Sequence, residues 1–301
     1  MTQSAKITPD WIALDWGTSN LRAFAMTKQG AVLAERSSDQ GMASLTQAGF
    51  EPALHALLHG WELPSQCTVV ACGMVGSRQG WQEAPYCAVP CPPLSTALIR
   101  VANCSDALEV WLVPGVKQNA PADVMRGEET QIAGFLALNP DWDGVICLPG
   151  THSKWVHVSA GEIVSFQTFM TGELFAAISA HTVLRHSLSG NDWDGDAFAD
   201  ALSNILSRPE RLASSLFSLR AGDLLHGQAS SHARAQLSGA LIGAELAAAK
   251  PYWLGQNIAI IGEDRLSDLY SFALKQQGIT AQRCDANAVT RAGLTAAYRS
   301  L

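Results

Sequence analysis

The sequence has few charges, and its cysteines follow no recognisable pattern. Only 16% of the 301 residues are charged, and a formal net charge of −7 argues against nucleic acid as the main partner. The seven cysteines are an odd number without a C-x-x-C pair, which fits neither a disulfide framework nor a zinc site. No apolar run approaches the roughly 20 residues that span a bilayer. The start, MTQSAKITPD, lacks the features of a signal peptide. We therefore expect a cytoplasmic protein, without nucleic-acid or membrane partners, that acts on a small molecule.

Three common nucleotide and hydrolase motifs are also missing. The chain has no G-x-x-x-x-G-K-[ST], G-x-G-x-x-G or G-x-S-x-G, which argues against P-loop, Rossmann and serine-hydrolase proteins. A hydrophobic content of 48% over this length is enough for two lobes. We predict an α/β chain with an N-terminal lobe over residues 1–140 and a C-terminal lobe over 141–301.

One pattern of strands, turns and helix occurs twice. The first copy reads as strands IALDW, LRAFAMT and AVLAER followed by the helix FEPALHALLHGW. The second reads as strands GVICLPG, WVHVSA and IVSFQTFM, with THSK as a turn, followed by the helix GELFAAISAHTVLRH. Each copy has Gly-Thr in its first turn, at Gly17-Thr18 and Gly150-Thr151. The repetition indicates an internal duplication that yields two similar lobes facing each other.

The two glycine turns are suited to binding a polyphosphate. Backbone N–H groups and hydroxyls of such turns bind phosphate oxygens, and a carboxylate binds the magnesium that a nucleotide carries. An acid, Asp15, precedes only the first turn, so we predict Mg²⁺ against the first lobe; the alternative is that Asp15 caps its turn. Lys154 reaches phosphate or extends beside Trp155. The predicted nucleotide contacts from these turns are Gly17, Thr18, Ser19, Asn20, Gly150, Thr151 and Lys154.

The segment PADVMRGEETQIAGFLAL concentrates charge at the predicted entry of a helix. Asp123, Glu128 and Glu129 there stabilise the helix N-terminus or act on substrate. Capping does not account for Arg126, because a cation is unfavourable at that end of the helix dipole. An acid that orients and deprotonates a hydroxyl, beside an arginine that binds an anionic group, accounts for both.

The loop GMVGSRQGWQEAPY follows the buried strand CTVVAC, and we expect it to line the substrate site. Arg78 is the candidate for bidentate pairing with a substrate carboxylate, the alternative being a surface arginine. Ser77, Trp81 and Arg22 are the other predicted substrate contacts.

Five segments together resemble the 2-dehydro-3-deoxygalactonokinase family over nearly the whole chain. They are IALDWGTSNLRA, GMVGSRQGW, DVMRGEETQ, LPGTHSKW and MTGEL, in that order. The resemblance implies an actin-like, hexokinase-type fold of two ribonuclease-H-like lobes with ATP in the cleft between them. It further implies transfer of phosphate from ATP, with Mg²⁺, to the 6-hydroxyl of 2-dehydro-3-deoxy-D-galactonate in galactonate catabolism.

The resemblance also implies roles for individual positions. Asp15 matches the acid that binds metal-bound water, and 17–20 and 150–153, the latter with His152 and Ser153, match the phosphate turns. Gly262 matches the glycine of the adenosine motif. The general base stays open between Asp123 and the pair Glu128/Glu129. The final helix, NAVTRAGLTAAYRSL, is expected to close the chain, with packing on the first lobe as one option.

Several alternatives also remain at this stage. They are a kinase of another sugar or keto-deoxy acid such as 2-dehydro-3-deoxygluconate, a polyphosphate phosphohydrolase, and an actin-like ATPase switch. A homodimer is compatible with the sequence.

Overall fold

The computed structural model describes residues 6–94, 97–190 and 192–301. Residues 1–5 of the segment MTQSAKITPD, on which the signal-peptide prediction depends, lie outside the described residues. The chain divides into two compact units. The first contains Met1–Trp142, Val158–Ser165 and Asp285–Leu301, and the second contains Asp143–His157 and Phe166–Cys284. The predicted division placed one boundary after residue 140. In the structure, the later segments Val158–Ser165 and Asp285–Leu301 also belong to the first unit.

The first unit is built on a six-stranded sheet and a three-stranded sheet. Strands β1 to β3 form an antiparallel meander, and β4 and β7 continue the large sheet parallel to β1, in the order β3-β2-β1-β4-β7-β6. This is the ribonuclease-H-like arrangement. The strands are β1 Trp11–Trp16, β2 Leu21–Met26, β3 Val32–Ser38, β4 Cys67–Cys72, β5 Tyr86–Ala88, β6 Ile99–Arg100, β7 Leu108–Leu112, β8 Gly115–Asn119 and β9 Ala122–Met125.

Three α-helices belong to this unit: α1 Phe50–Leu58, α2 Glu128–Leu138 and α9 Ala286–Arg299. Helix α1 buries Phe50, Leu54 and Leu57 against the sheet, as the helical spacing predicts. Helix α9 packs on α2 through glycines, because a Cβ at Gly134 would lie 1.8 Å from the Val289 carbonyl oxygen. This close approach explains why the last helix belongs to the first unit.

The three-stranded sheet, in the order β5-β8-β9, changes the expected position of one acid. Asp123 lies in β9, opposite Gln118 of β8, and its carboxylate accepts the Val124 N–H at 2.8 Å. The prediction that Asp123 stands at the helix entry is therefore wrong. Helix α2 begins at Glu128 because Gly127, with φ of 109°, breaks the extended backbone.

The five-stranded sheet, which lies in the second unit apart from Val158–Ser165 at the β11–β12 turn and Asp285 at the end of β14, repeats the same order. Its five strands run β12-β11-β10-β13-β14, with β10 parallel to β13. The strands are β10 Gly144–Leu148, β11 Ser153–Ser159, β12 Glu162–Phe169, β13 Ile258–Gly262 and β14 Gln282–Asp285. The helices are α3 Thr171–His181, α4 Gly195–Ser207, α5 Leu212–His226, α6 Ser230–Ala248, α7 Lys250–Trp253 and α8 Asp264–Lys275. Strand β11 starts at Ser153, so Ser153 and Lys154 are strand residues rather than turn residues.

Two sheets with the same order confirm the predicted α/β chain of ribonuclease-H-like lobes. None of the seven cysteines, all of which lie in the described ranges, forms a disulfide. None of the helices in the described ranges is long and apolar enough to cross a membrane.

Candidate functional site

Asp15 forms an ion pair across the first hairpin. It stands directly opposite Arg22 in the β1–β2 register, and Arg22 Nη2 lies 2.5 Å from its Oδ2. Arg22 Nη1 also donates to the Asn287 side chain of α9. The arginine was predicted to contact substrate; here it neutralises the acid and fixes its orientation. The turn itself is closed by its backbone, since the Gly17 N–H donates to the Asn20 carbonyl at 2.9 Å.

The first glycine turn is held from outside by the segment that follows β3. The Met42 and Ala43 N–H groups each donate to turn carbonyls at 3.0 Å, at Gly17 and Thr18. A Cβ at Gly41 would lie 2.4 Å from the Thr18 oxygen, so this approach requires glycine. The remaining turn residues, Thr18, Ser19 and Asn20, are exposed. Their hydroxyls and N–H groups are thus available to a ligand while the backbone is fixed.

The start of α2 lies beside the end of β4, next to Asp15. Cys72 Sγ is 4.0 Å from Asp15 Oδ1, and a Cβ at Gly127 would lie 3.2 Å from the Gly73 Cα. Burial raises the pKa of the Cys72 thiol well above its usual value, and the charges of Asp15 and Glu129 raise it further. The structure therefore brings Asp15 and the Glu128–Glu129 pair into one neighbourhood, which sequence spacing of more than 100 residues does not reveal.

The two glutamates differ sharply in environment. Glu129 is 0% exposed, and its carboxylate accepts the Gly127 N–H at 2.7 Å and the Thr130 hydroxyl at 3.0 Å. Burial, with the neighbouring Glu128 charge as the second cause, raises the Glu129 pKa to about 7. Glu128 is half-buried and accepts the Arg126 N–H at 3.0 Å. Glu128 is therefore the member of the pair that is open to solvent.

Arg126 connects the loop GMVGSRQGWQEAPY to the start of α2. Its guanidinium stacks 4.2 Å from the centre of the Tyr86 ring, and Nη2 donates to the Ala84 carbonyl at 2.7 Å. Nη1 is buried without a hydrogen-bond partner and faces Gly76, where a Cβ would lie only 3.0 Å away. A stacked, buried guanidinium with one donor left over both fixes the loop and favours an anion nearby.

Of the other residues predicted in this loop, Arg78 lies on the surface, whereas Trp81 and Ser77 are buried. Arg78 has a side chain that is 81% exposed, 3.6 Å from Glu83. Trp81 packs in the core, its ring stacked 6.1 Å from that of Phe50, so the ring does not face a ligand. Ser77 is buried, and its hydroxyl has no hydrogen-bond partner.

The second glycine turn, in the second unit, is held against the start of α3. The Glu173 N–H donates to the Thr151 carbonyl at 2.9 Å, and a Cβ at Gly172 would lie 2.3 Å from the Gly150 carbonyl oxygen. His152 Nε2 is 2.6 Å from Glu173 Oε2, which adds a side-chain link. The Glu173 N–H is thus taken up by the turn, and the positive end of the α3 dipole lies beside it, which favours an anion nearby.

The residues that follow this turn are directed inwards. Lys154 is buried, with Nζ 3.4 Å from the His152 carbonyl. Ser153 is also buried, and its hydroxyl lies 3.0 Å from that of Tyr270. These two side chains therefore pack on the buried side of the turn. The exposed groups at the turn belong to Thr151 and His152.

A cavity of about 310 Å³ adjoins this turn. Its size falls at the lower end of ligand pockets in proteins, which measure roughly 300–1,000 Å³. Turn residues form one side and mostly apolar residues of helices and loops form the others. The lining is Gly150, Thr151, Thr171, Gly172, Phe175, Trp193, Arg234, Ser238, Leu241, Ile242, Arg265, Leu266, Leu269 and Tyr270.

Two arginines stack on aromatic rings within this lining. Arg265 lies 5.2 Å from the centre of the Trp193 ring, and Arg234 lies 4.9 Å from that of Phe175. The Arg234 Nε is buried without a hydrogen-bond partner. Flat apolar and cationic surfaces suit an aromatic base joined to phosphate. Sequence reasoning missed all four residues, because they are separated in sequence and belong to no motif.

Gly262 ends β13 where the chain turns into α8. A Cβ there would lie 3.2 Å from both Pro149 Cδ and the Ser267 hydroxyl oxygen. Glycine thus lets the start of α8, which carries Arg265, lie close to the residue preceding the second turn.

Asp15 fits a magnesium ion that is bound mainly by nucleotide phosphates. Mg²⁺ commonly takes one or two carboxylates, with phosphate oxygens and water completing its coordination. Among the described residues, no group of three or more His, Cys, Asp or Glu side chains could hold a metal by itself. A single partly exposed carboxylate beside a phosphate-type turn agrees with that mode of binding.

Two ribonuclease-H-like sheets, each with a glycine turn after its first strand, and a cavity beside the second turn are typical of the actin-like ATPase fold, which includes sugar kinases. The chain matches the family described as 2-keto-3-deoxy-galactonokinase over residues 15–297. It therefore belongs to that family, which confirms the resemblance.

Two curated relatives agree with this assignment. One, named probable 2-dehydro-3-deoxygalactonokinase DgoK1, from Rhizobium meliloti (strain 1021), is 41% identical over 97% of each chain. The other, the 2-dehydro-3-deoxygalactonokinase of Escherichia coli (strain K12), is 35% identical over 94% of each chain. A crystal structure of a Sinorhizobium meliloti protein, assigned by inference as a 2-dehydro-3-deoxygalactonokinase, has a TM-score of 0.90 and 40% identity. That comparison covers 96% of this chain and 98% of the other.

Proposed function

We propose that the protein transfers the terminal phosphate of ATP to the 6-hydroxyl of 2-dehydro-3-deoxy-D-galactonate. Family membership supports the reaction class, and the relatives' names supply the substrate. The observation that carries the proposal is the cavity of about 310 Å³ that adjoins the Gly150–Thr151 turn. An apolar pocket that ends at a phosphate-type turn is what a nucleotide requires.

In this proposal the second unit binds the nucleotide. The base occupies the cavity between the Trp193 and Phe175 sides, with the two stacked arginines adding cationic surface. The phosphates extend to the turn at 150–151, where the N-terminus of α3 stabilises negative charge. The first turn, Gly17–Asn20, is a second phosphate-binding turn in this proposal, because Thr18, Ser19 and Asn20 are exposed.

The first unit carries the metal acid and the sugar-acid site. Asp15 would hold Mg²⁺, through water or directly, and the ion would neutralise the phosphates. Glu128 orients the acceptor hydroxyl and accepts its proton. Glu129 remains behind it and fixes the start of α2 through the Gly127 N–H. Catalysis of this kind depends mainly on position and charge.

The acid pair can be tested by two matched substitutions. Glu128→Gln removes the proposed base and should lower kcat by about 10²–10⁴-fold, the usual contribution of a general acid or base. Glu129→Gln keeps an acceptor for the Gly127 N–H and should lower kcat far less. If Glu129→Gln has the larger effect on kcat, the two roles are reversed.

The substrate carboxylate has two candidate partners, Arg78 and Arg126. Arg78→Met is the cleaner test, because its exposed ion pair contributes less than about 1 kcal/mol and the fold should not change. If Arg78 binds the acid, this variant raises the KM for the sugar acid and leaves the KM for ATP unchanged. Arg126→Met should do the same and also lower stability, because it leaves the Ala84 carbonyl without its donor.

A coupled assay of ATP consumption tests the substrate. We expect rapid turnover with 2-dehydro-3-deoxy-D-galactonate, slower turnover with its gluconate-derived epimer and none with neutral hexoses. Turnover that is faster with a neutral hexose would contradict the assignment. Turnover that is independent of any acceptor would contradict a kinase.

A further inference from the structure

Glu245 is a buried acid beneath the nucleotide cavity that the proposed reaction does not use. It lies in α6, is 2% exposed, and is flanked there by alanines and glycine in the sequence GAELAAA. A buried carboxylate is unfavourable unless several donors compensate for the lost hydration. Its presence in a helix of small apolar residues therefore requires an explanation.

Four side chains hydrogen-bond to the Glu245 carboxyl. Trp155 Nε1 donates to Oε1 at 2.8 Å, and the Tyr270 hydroxyl donates to Oε2 at 2.6 Å. Thr171 and Ser153 supply the other two hydrogen bonds. Burial raises the pKa of Glu245, and all four hydrogen bonds oppose that rise because they favour the charged form.

All four partners belong to the elements that form the nucleotide site, and Trp155 shares strand β11 with Ser153. Thr171 begins α3, Tyr270 lies in α8, and both line the cavity. Ser153 begins β11 immediately after the second glycine turn. The carboxyl group thus joins α3, α8 and β11 to α6 at one point directly below the turn. Trp155, the fourth partner, does not line the cavity.

We propose that Glu245 is a positioning residue for nucleotide binding. It fixes the second glycine turn, the start of α3 and the cavity-lining Tyr270 in position relative to one another. The inference rests on the proposed function, since it assumes that this cavity takes the nucleotide. Glu245 does not touch the nucleotide itself; it acts through Thr171, Ser153 and Tyr270.

A carboxylate can accept from all four partners at once: the Trp155 N–H, which only donates, and the three hydroxyls, which can also accept. Two oxygens accept four hydrogen bonds, whereas a glutamine presents one oxygen and an NH₂ group. In Glu245→Gln the NH₂ would face either the Trp155 N–H, which then loses its acceptor, or the Tyr270 hydroxyl, whose proton must then turn away from residue 245. Helices α3 and α8 are then no longer held to one common carboxylate, although the side-chain volume is unchanged.

The main test compares ATP binding by Glu245→Gln and the wild type in the full-length protein, by titration calorimetry without sugar acid. We expect ATP to bind about tenfold more weakly, since a displaced buried hydrogen-bond network typically costs that much or more. In steady-state assays the KM for ATP should rise and the KM for the sugar acid should not. Glu245→Asp keeps the charge and should recover part of the ATP affinity.

A matched pair of tryptophan variants separates positioning from general stability. Trp155 and Trp253 are both buried in the same core, and each donates one indole N–H at 2.8 Å. Trp155 donates to Glu245, whereas Trp253 donates to the Leu246 carbonyl. Trp155→Phe should weaken ATP binding by a few-fold, and Trp253→Phe should not, although both lower the Tm. This comparison stands even if Glu245→Gln does not fold.

Two results would overturn the inference. The first is wild-type ATP affinity in Glu245→Gln with only a lower Tm, which would make the residue purely structural. The second is an equal effect of the two tryptophan variants on ATP affinity. If the wild type binds ATP but does not phosphorylate the keto-deoxy acid, the proposed substrate is wrong and the inference about Glu245 is unaffected.

Discussion

Glu129 makes the stability of the protein depend on pH in a direction opposite to that of most carboxylates. Its pKa is raised from the usual 4.5 to about 7, chiefly by burial. A group with a raised folded-state pKa is protonated more readily in the folded protein than in the unfolded chain. Its contribution is fully favourable below pH 4.5 and declines as the pH rises towards 7.

The magnitude follows from these two values. Each pH unit between them corresponds to about 1.4 kcal/mol, so ionising Glu129 in the folded protein costs roughly 3 kcal/mol by pH 7 to 8. Glu129→Gln keeps the side-chain volume and an acceptor for the Gly127 N–H, but it does not titrate. The difference in free energy of unfolding between wild type and variant isolates this one group, because other titrating groups cancel.

The assay is urea-induced unfolding of both proteins at several values between pH 5 and 8. We expect the stability of the wild type relative to Glu129→Gln to fall as the pH rises, with most of the change below pH 7. A difference that stays constant over this range would refute the reasoning. A difference that changes in the opposite direction would show that hydrogen bonding, not burial, dominates the environment of Glu129.

Three further predictions concern other close contacts. Gly172→Ala places a Cβ 2.3 Å from the Gly150 carbonyl oxygen, so it should displace the second turn and raise the Kd for ATP without changing that for the sugar acid, as measured by calorimetry. Gly134→Ala, at the contact between α2 and α9, should lower the free energy of unfolding by about 1–3 kcal/mol in urea titrations, the usual cost of overpacking. Trp193→Ala removes an aromatic side of the cavity and should raise the KM for ATP by about tenfold, in line with the 1–3 kcal/mol of base stacking.

Much of the architecture follows from the sequence because its signals are local. Short apolar runs around Gly17 and Gly150, separated by glycine-bearing turns, define both meanders, and the Gly-Thr turns indicate the duplication. Helix α2 was placed correctly, but Asp123 was assigned to its entry. A single residue, Gly127, ends the extended backbone and moves Asp123 into a separate strand. The three-stranded sheet has strands of three to five residues, too short for a clear pattern.

The cavity that we propose for the nucleotide could not be predicted in the same way. Trp193 and Arg265 are 72 positions apart, and only the folded chain brings the guanidinium to 5.2 Å from the centre of the ring. Arg22 similarly looked like a substrate contact, although the β1–β2 register places it opposite Asp15. Glu245 did carry a signal, since it is the one acid within the small-residue run SGALIGAELAAA. An acid in an otherwise apolar helix is the kind of feature that made Asp15 a candidate.

The most direct test of the account is to identify the product formed from ATP and 2-dehydro-3-deoxy-D-galactonate by phosphorus–proton correlation NMR. The account predicts ADP and one phosphorylated acid, in equal amounts, with the phosphate coupled to the protons on carbon 6. Release of inorganic phosphate without a phosphorylated acid, or a phosphate on another carbon, would contradict it.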